Sequence, residues 1–189
     1  MVRLTKIYTR GGDGGQTHLG DGSRASKDTP RIHAIGSVDE TNSLIGVAII
    51  TPAPKGCDAL PAHLTRIQND LFDLGADLCR PEDDKPALRM TTQQVTALEN
   101  AIDTLNADLE PLTSFVLPGG HPLAAQLHIA RATARRAERD VVSLAATEAI
   151  TPAAATYINR LSDFLFVAAR WVNHRSKVGD VLWVPGENR

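Results

Sequence analysis

LAAQLHIARATARRAERDVVSL, Leu123 to Leu144, is the stretch on which the fold turns. Leu123, Leu127, Ala130, Ala134, Ala137, Val141 and Leu144 recur at alternating spacings of three and four, so they lie on one face of a helix. Working outward, four further stripes have the same spacing. They are Ile35, Val38, Ile45 and Ile49, with Asn42 between; Leu60, Leu64, Ile67, Leu71, Leu74 and Leu78; Val95, Leu98, Ile102, Leu105 and Leu109; and Ile158, Leu161, Leu165, Ala168 and Val172. Five such stripes predict an all-α chain packed as an up-and-down five-helix bundle. The punctuation agrees. Pro52, Pro54, Gly56 and Pro61 separate the first two helices, Pro81 and Pro86 end the second, and Pro111 closes the third. Thr91-x-x-Gln94 reads as a capping box, Pro122 suits a first turn, and Thr151-Pro152 pairs an N-cap hydroxyl with a helix-starting proline.

The 189 residues suffice for one domain with a sizeable core. We expect a single unit over 1–189, divided into a leading segment 1–30, a bundle 31–177 and a tail 178–189 too short for another helix. A net charge of -2 argues against a general polyanion binder, so any anion site must be a local cluster. Cys57 and Cys79 match no zinc spacing and are too few for a disulfide scaffold, and we read both as reduced thiols in a cytoplasmic protein. No signal-like or membrane-spanning apolar run appears in the sequence.

Six of the 14 glycines lie between Gly11 and Gly22, a density that predicts neither helix nor regular strand. Composition alone leaves two readings for this segment: a flexible arm, or a phosphate- or metal-binding loop using Arg10, Asp13, Thr17 and Lys27. The bundle carries its own unusual charges. Arg131, Arg135, Arg136, Glu138 and Arg139 crowd one helix, either as a solvated face or as a site. Asp163 precedes Phe164-Leu-Phe-Val167, and Asp39 and Asn42 flank apolar positions. The pattern predicts buried or half-buried carboxylates that need cationic partners. There is no Gly-Lys-Ser/Thr phosphate loop, no His-Glu-x-x-His pair, no Glu-x-x-His iron repeat and no Gly-x-Ser-x-Gly elbow.

Three blocks together bear a family resemblance. Lys6-Ile-Tyr-Thr-Arg-Gly-Gly-Asp-Gly-Gly-Gln-Thr17, the Arg131–Arg139 run and Tyr157-Ile-Asn-Arg-Leu-Ser-Asp-Phe-Leu-Phe166 occur in order. Val38-Asp-Glu, Phe115-Val-Leu-Pro-Gly-Gly and Leu182-Trp-Val-Pro-Gly fall between and after them. Over essentially its whole length the chain closely resembles the PduO-type ATP:corrinoid (cob(I)alamin) adenosyltransferases. The resemblance implies a ferritin-like five-helix bundle that forms a homotrimer with sites between subunits. It also implies transfer of the 5′-deoxyadenosyl group of ATP, accompanied by Mg2+, to the cobalt of a reduced cobalamin.

It further implies residue roles. Thr9, Arg10, Gly11, Gly12, Thr17 and His18 match a glycine-rich nucleotide-binding loop, and Lys27 a phosphate-binding lysine. Arg135, Arg136, Glu138 and Arg139 match the helical ATP cluster, with Asn159 its partner on the last helix. Arg131 and Asp39 match an ion pair across the subunit interface, Phe115 the aromatic that displaces the lower cobalt ligand, and Asp163 an acid of structural or cobalt-adjacent role. Gly11 departs from the threonine common at that position, so a hydroxyl contact to phosphate is missing. No metal ligand set is expected, since Mg2+ comes with the ATP phosphates. A flavin-dependent reductase and an adenosylcobalamin-dependent enzyme are the expected protein partners, with neither nucleic acid nor membrane. The alternative reading is a non-catalytic ATP- or corrinoid-binding bundle acting as sensor or delivery protein.

Overall fold

The computed structural model describes residues 6–83 and 85–189. Residues 1–5, where the reading of a signal-free start partly falls, lie outside the described residues. Among the described residues five helices carry the fold: α1 Pro30–Ile50, α2 Leu60–Cys79, α3 Thr92–Asn106, α4 Pro122–Ala145 and α5 Pro152–Arg175. α4 lies against both α1 and α5; α1 also packs on α2, and α5 on α3. The alanines of α4 explain its position. Ala124, Ala130, Ala134 and Ala137 are fully buried, and such small side chains let two neighbouring helices approach closely. Between α2 and α4, α1 buries Arg31, Ala34, Val38, Thr41, Asn42, Ile45 and Ala48.

Start signals behave largely as their chemistry dictates. Thr91 and Gln94 form the reciprocal capping box of α3. Pro122 and Pro152 occupy the first turns of α4 and α5, and so does Pro61 in α2, rather than the linker where the sequence placed it. Thr151 is the N-cap of α5, but its hydroxyl does not cap. It donates instead to Asp77 Oδ1 at 3.0 Å, because a buried carboxylate has the stronger claim on a donor than a solvated helix end.

Asp77 is the centre of a buried polar junction. Its oxygens also accept from Arg89 at 2.9 Å and from the Met90 N–H at 2.7 Å, which closes the α2–α3 connection over the bundle end. A second junction forms at Asp70, which accepts from the buried Tyr157 hydroxyl and from Gln94 Nε2, both at 3.0 Å. Burial, then the Asp70 charge, pushes the Tyr157 pKa up, so the phenol stays a proton donor. Arg31, 3% exposed, ties the start of α1 to Glu148 at 2.7 Å and to the Leu78 carbonyl.

The glycine-rich segment corrects one expectation. It contains two short antiparallel strands, β1 Gln16–His18 and β2 Arg24–Ser26, paired Gln16 with Ser26 and His18 with Arg24. The glycines cluster before β1 and in the intervening turn, where Gly22 adopts φ +87, so the paired residues themselves are free to extend. Gly20 N–H donates to the Cys79 carbonyl at 2.8 Å, which anchors this hairpin to the end of α2. Cys57 and Cys79 are both free thiols.

The tail beyond α5 forms no helix. It returns to the α3–α4 connection through a bridge between Val116 and Leu182, with Trp183 N–H donating to the Phe115 carbonyl at 2.7 Å. Asn173 on α5 holds this region in place. Its Oδ1 accepts from His121 N–H at 2.9 Å, while Nδ2 donates to the Gly119 carbonyl at 3.1 Å. Arg170 reaches both Asp180 Oδ2 at 2.8 Å and the Glu110 carbonyl at 2.9 Å.

Candidate functional site

Arg131, Arg135 and Arg139 follow one another at intervals of four along α4, so one face of that helix carries a cationic stripe about 12 Å long. Two cavities border it. The first, of about 610 Å³, is lined by Leu112, Ser114, Phe115, Arg131, Phe166 and Trp183. The second, of about 420 Å³, is lined by Arg135, Glu138, Arg139, Val142 and Ser143.

The apolar cavity owes its shape to the returning tail. Phe115 is 77% exposed, yet it is held by the bridge of its neighbour Val116 to Leu182 and by the Trp183 ring, 5.9 Å away at 57°. Ser114 Oγ donates to the Trp183 carbonyl at 2.7 Å, adding a second tie across the same pair of segments. Trp183 was quoted in the resemblance but not among the site residues. Its signal is that it is one of only two tryptophans in an aromatic-poor chain, and only the tail's return shows which cavity it borders. The far wall is Phe166, with the Arg131 guanidinium 5.9 Å over its ring. Arg131 is half-buried, its Nε has no hydrogen-bond partner, and no ion pair holds it among the described residues. Burial and then the neighbouring Arg135 charge lower its pKa.

The polar cavity is organised by carboxylates and amides. Asn159 Nδ2 on α5 donates to Glu138 Oε1 at 2.6 Å, so the expected partnership between Asn159 and the α4 cluster has a direct contact. Asn159 Oδ1 in turn accepts from Arg160 at 2.9 Å, and Arg160 pairs with Glu99 at 2.8 Å. These contacts fix the Glu138 carboxylate between α4 and α5 and leave Arg135 exposed. Arg139 turns back onto the Arg135 carbonyl at 3.0 Å, and Arg136 points the other way, paired with Glu40 on α1.

Two carboxylates differ from expectation. Asp163 is exposed although its neighbours Leu161, Ser162, Phe164 and Leu165 are buried, because a helix presents one position of even an apolar run to the outside. Asp39 is likewise exposed on α1, beside a cavity of about 420 Å³ lined by Ile35, Asn42, Phe72 and Cys79. Neither is the buried carboxylate that flanking apolar residues predicted.

The glycine-rich segment brings its candidates together with one another, not with α4. Lys27 Nζ donates to the Gly12 carbonyl at 2.9 Å and Arg24 to the Gly11 carbonyl at 2.9 Å, which fold the run Thr9–Gly12 back toward the hairpin. Thr17 pairs with Ala25 inside the hairpin, and His18 is exposed at its end. Arg10 holds φ +61, a left-handed conformation that costs a non-glycine residue strain, with its guanidinium 5.8 Å over the Tyr8 ring. No hydrogen bond or ion pair of the described residues joins residues 9–27 to Arg135, Arg136 or Arg139. The hairpin is anchored instead at the far end of α2. Among the described residues, no group of three or more His, Cys, Asp or Glu is placed to hold a metal ion, and no helix is long and apolar enough to cross a membrane.

Comparison with known proteins agrees in both sequence and shape. The family model for cobalamin adenosyltransferase matches residues 7–172. A corrinoid adenosyltransferase of Mycobacterium leprae (strain TN) is 48% identical over 195 residues, covering 98% of each chain. A cobalamin adenosyltransferase of Cupriavidus metallidurans is 48% identical over 181 residues, covering 96% of this chain and 95% of its own. Among solved structures, a variant PduO-type ATP:corrinoid adenosyltransferase from Lactobacillus reuteri, complexed with cobalamin and ATP, superposes with a TM-score of 0.90 at 38% identity, covering 95% and 97% of the two chains. With a match that reaches into all five helices and relatives aligned nearly end to end, the chain belongs to the cobalamin adenosyltransferase family.

Proposed function

We propose that the protein transfers the 5′-deoxyadenosyl group of ATP to the cobalt of cob(I)alamin, releasing triphosphate and forming adenosylcobalamin. The observation that carries this reading is the α4 arginine stripe running from a polar, carboxylate-ordered cavity to an apolar one walled by Phe115, Phe166 and Trp183. A triphosphate needs the first kind of surface and a flat macrocycle the second, and the stripe joins them within the length of a nucleotide.

In this reading the cobalt(I) electron pair attacks C5′, the C5′–O bond breaks, and its electrons leave with the triphosphate. The nucleophile belongs to the substrate, so no activated serine or cysteine is required of the protein. The protein's share is positioning and charge. Exposed Arg135 meets the leaving phosphates with Arg139 beside it, Arg136 joins them by turning from its Glu40 contact, and Glu138 and Asn159 orient the nucleoside end. Thr9, Arg10, Gly11, Gly12, Thr17, His18 and Lys27 close over the phosphates, and the strained Arg10 backbone supports a ligand role for that turn. Mg2+ enters with the phosphates. Phe115 presses on the lower face of the corrin, excluding an axial ligand and making cob(II)alamin easier to reduce.

In this reading the working enzyme is a homotrimer whose sites are completed between copies, an arrangement supported by the lack of any hydrogen bond or ion pair between the hairpin and the α4 arginines among the described residues. Arg131, which has no ion partner among the described residues, pairs across that boundary with exposed Asp39. Asp163 serves the same boundary as a structural or cobalt-adjacent acid. A cytoplasmic location, a flavin-dependent reductase as electron source and an adenosylcobalamin-dependent enzyme as product acceptor complete the proposal. The test is anaerobic incubation with chemically reduced cobalamin and MgATP. Accumulation of a photolabile cobalt–carbon product supports the reading, and its absence from folded protein with both substrates bound contradicts it.

A further inference from the structure

His128 has no role in the account so far, yet it is the most unusual polar group on α4. It is 3% exposed, and neither ring nitrogen has a hydrogen-bond partner among the described residues. A buried imidazole without partners is costly, which makes the position informative. One helical turn later stands Arg131, whose Nε is likewise buried and unpartnered. Both pack on the same aromatic: the His128 ring is 6.3 Å from Phe166 and the Arg131 guanidinium 5.9 Å over it. His128 and Arg131 line a cavity of about 440 Å³ with Pro118, Ala125, Ile129 and Thr133, and Arg131 also borders the cavity closed by Phe115 and Trp183. The two cavities therefore meet at Arg131.

The chemistry of the pair selects its ligand. Burial first, then the Arg131 charge, lowers the His128 pKa, with Asp180 opposing weakly, so the ring is neutral and offers one donor and one acceptor. A phosphate or carboxylate provides acceptors only and would leave the imidazole acceptor unpaired. A primary carboxamide provides both. The rim of a corrin macrocycle carries acetamide and propionamide side chains, and such chains reach outward from a ring lying beside Phe115.

We propose that His128 and Arg131 form a carboxamide subsite that grips one peripheral amide side chain of the corrinoid. This inference rests on the corrinoid reading above. In it the amide carbonyl accepts from Arg131 Nε, and the amide N–H donates to the unprotonated nitrogen of the His128 ring, fixing the rotation of the macrocycle over Phe115. His128 is thus a specificity-determining residue for the corrin rim, remote from the cobalt.

The test measures cob(II)alamin affinity of the ATP-bound protein for wild type, His128→Leu and His128→Gln. The leucine variant removes all hydrogen bonding, and the expected result is roughly fivefold to tenfold weaker corrinoid binding with ATP affinity unchanged. Glutamine keeps a donor and an acceptor and restores most of the loss. Wild type is also titrated with cobalamin monocarboxylates, each having one side-chain amide hydrolysed to the acid. One of the set binds at least fivefold more weakly than the parent, and His128→Leu erases that difference. Equal binding of every monocarboxylate by wild type overturns the subsite without recourse to any variant. A leucine variant that binds cobalamin like wild type, or that changes oligomeric state and so assigns His128 to a contact between copies, overturns it as well. Failure of wild type to bind cobalamin at all would remove the corrinoid reading itself, a separate outcome.

Discussion

Replacing Gly120 with alanine tests how rigidly the tail and the Phe115 segment are held. Gly120 has φ +95, and a Cβ built there would stand 2.2 Å from Asn173 Oδ1 and 2.6 Å from its Cγ. The left-handed backbone alone costs a residue with a side chain about 1 kcal/mol. The contact cannot be relieved by a small shift, because Asn173 is 2% exposed and engaged on both sides, accepting from His121 N–H and donating to the Gly119 carbonyl. Displacing that amide leaves buried donors and acceptors unpaired at about 1–3 kcal/mol. Gly120→Ala should therefore lose about 2–4 kcal/mol in urea unfolding, with the activity loss exceeding the stability loss because Phe115 and Trp183 are anchored through the same loop. Asn173→Ala removes the obstruction as well as the hydrogen bonds, so the double variant should be less destabilised than the sum of the singles by more than about 1 kcal/mol. A Gly120→Ala cost below about 1 kcal/mol, or simple additivity in the double variant, would refute the reasoning.

Arg135→Ala should reduce kcat/KM by roughly thirtyfold or more while leaving unfolding unchanged, since the side chain is exposed and its charged contact forms only with substrate; steady-state kinetics beside urea melts check this. Asp77→Ala removes the acceptor shared by Arg89, Met90 N–H and Thr151, and about 3–5 kcal/mol should be lost in the same melts with substrate affinities preserved in the folded fraction. Asp108 has its pKa lowered first by the Trp171 indole hydrogen bond and then by Arg175, so its contribution is complete above the unfolded value of about 4 and disappears as pH falls through the folded one. Asp108→Asn should flatten the stability curve only on that acidic limb, and an unchanged slope there would count against the contact. Phe115→Ala, at a mostly exposed position, should leave the melting temperature within a degree or two yet weaken the absorption signature of four-coordinate cob(II)alamin in the presence of ATP.

Much of the architecture was legible because it follows from periodicity. The alanine and leucine stripe of 123–144 fixes a helix with neighbours on two sides, and the Thr91–Gln94 box fixes where α3 begins. What escaped was the competition between local signals and distant partners. Thr151 reads as a cap until the buried Asp77 oxygen claims its hydroxyl, and the glycine run reads as strandless because its glycines were treated as spread evenly. Asp163 shows the limit of reading burial from neighbours: in a helix the adjacent residue points about 100° away, so an apolar run says little about one member of it. For the site, the α4 cluster stood out in the sequence as charge and spacing, while Asn159 entered as its partner only through the family resemblance. His128 and Trp183 did not, since their significance lies in which groups surround them, and that depends on the tail returning across the α3–α4 connection.

Which bond of ATP breaks tests the account most directly. Phosphorus NMR of the spent anaerobic reaction, with reduced cobalamin limiting and MgATP in excess, separates the alternatives in one spectrum. Attack at C5′ predicts one inorganic triphosphate for every adenosylcobalamin formed, with no ADP beyond the enzyme-free control. ADP and orthophosphate appearing in step with turnover, or a corrinoid that changes without any triphosphate, would contradict it.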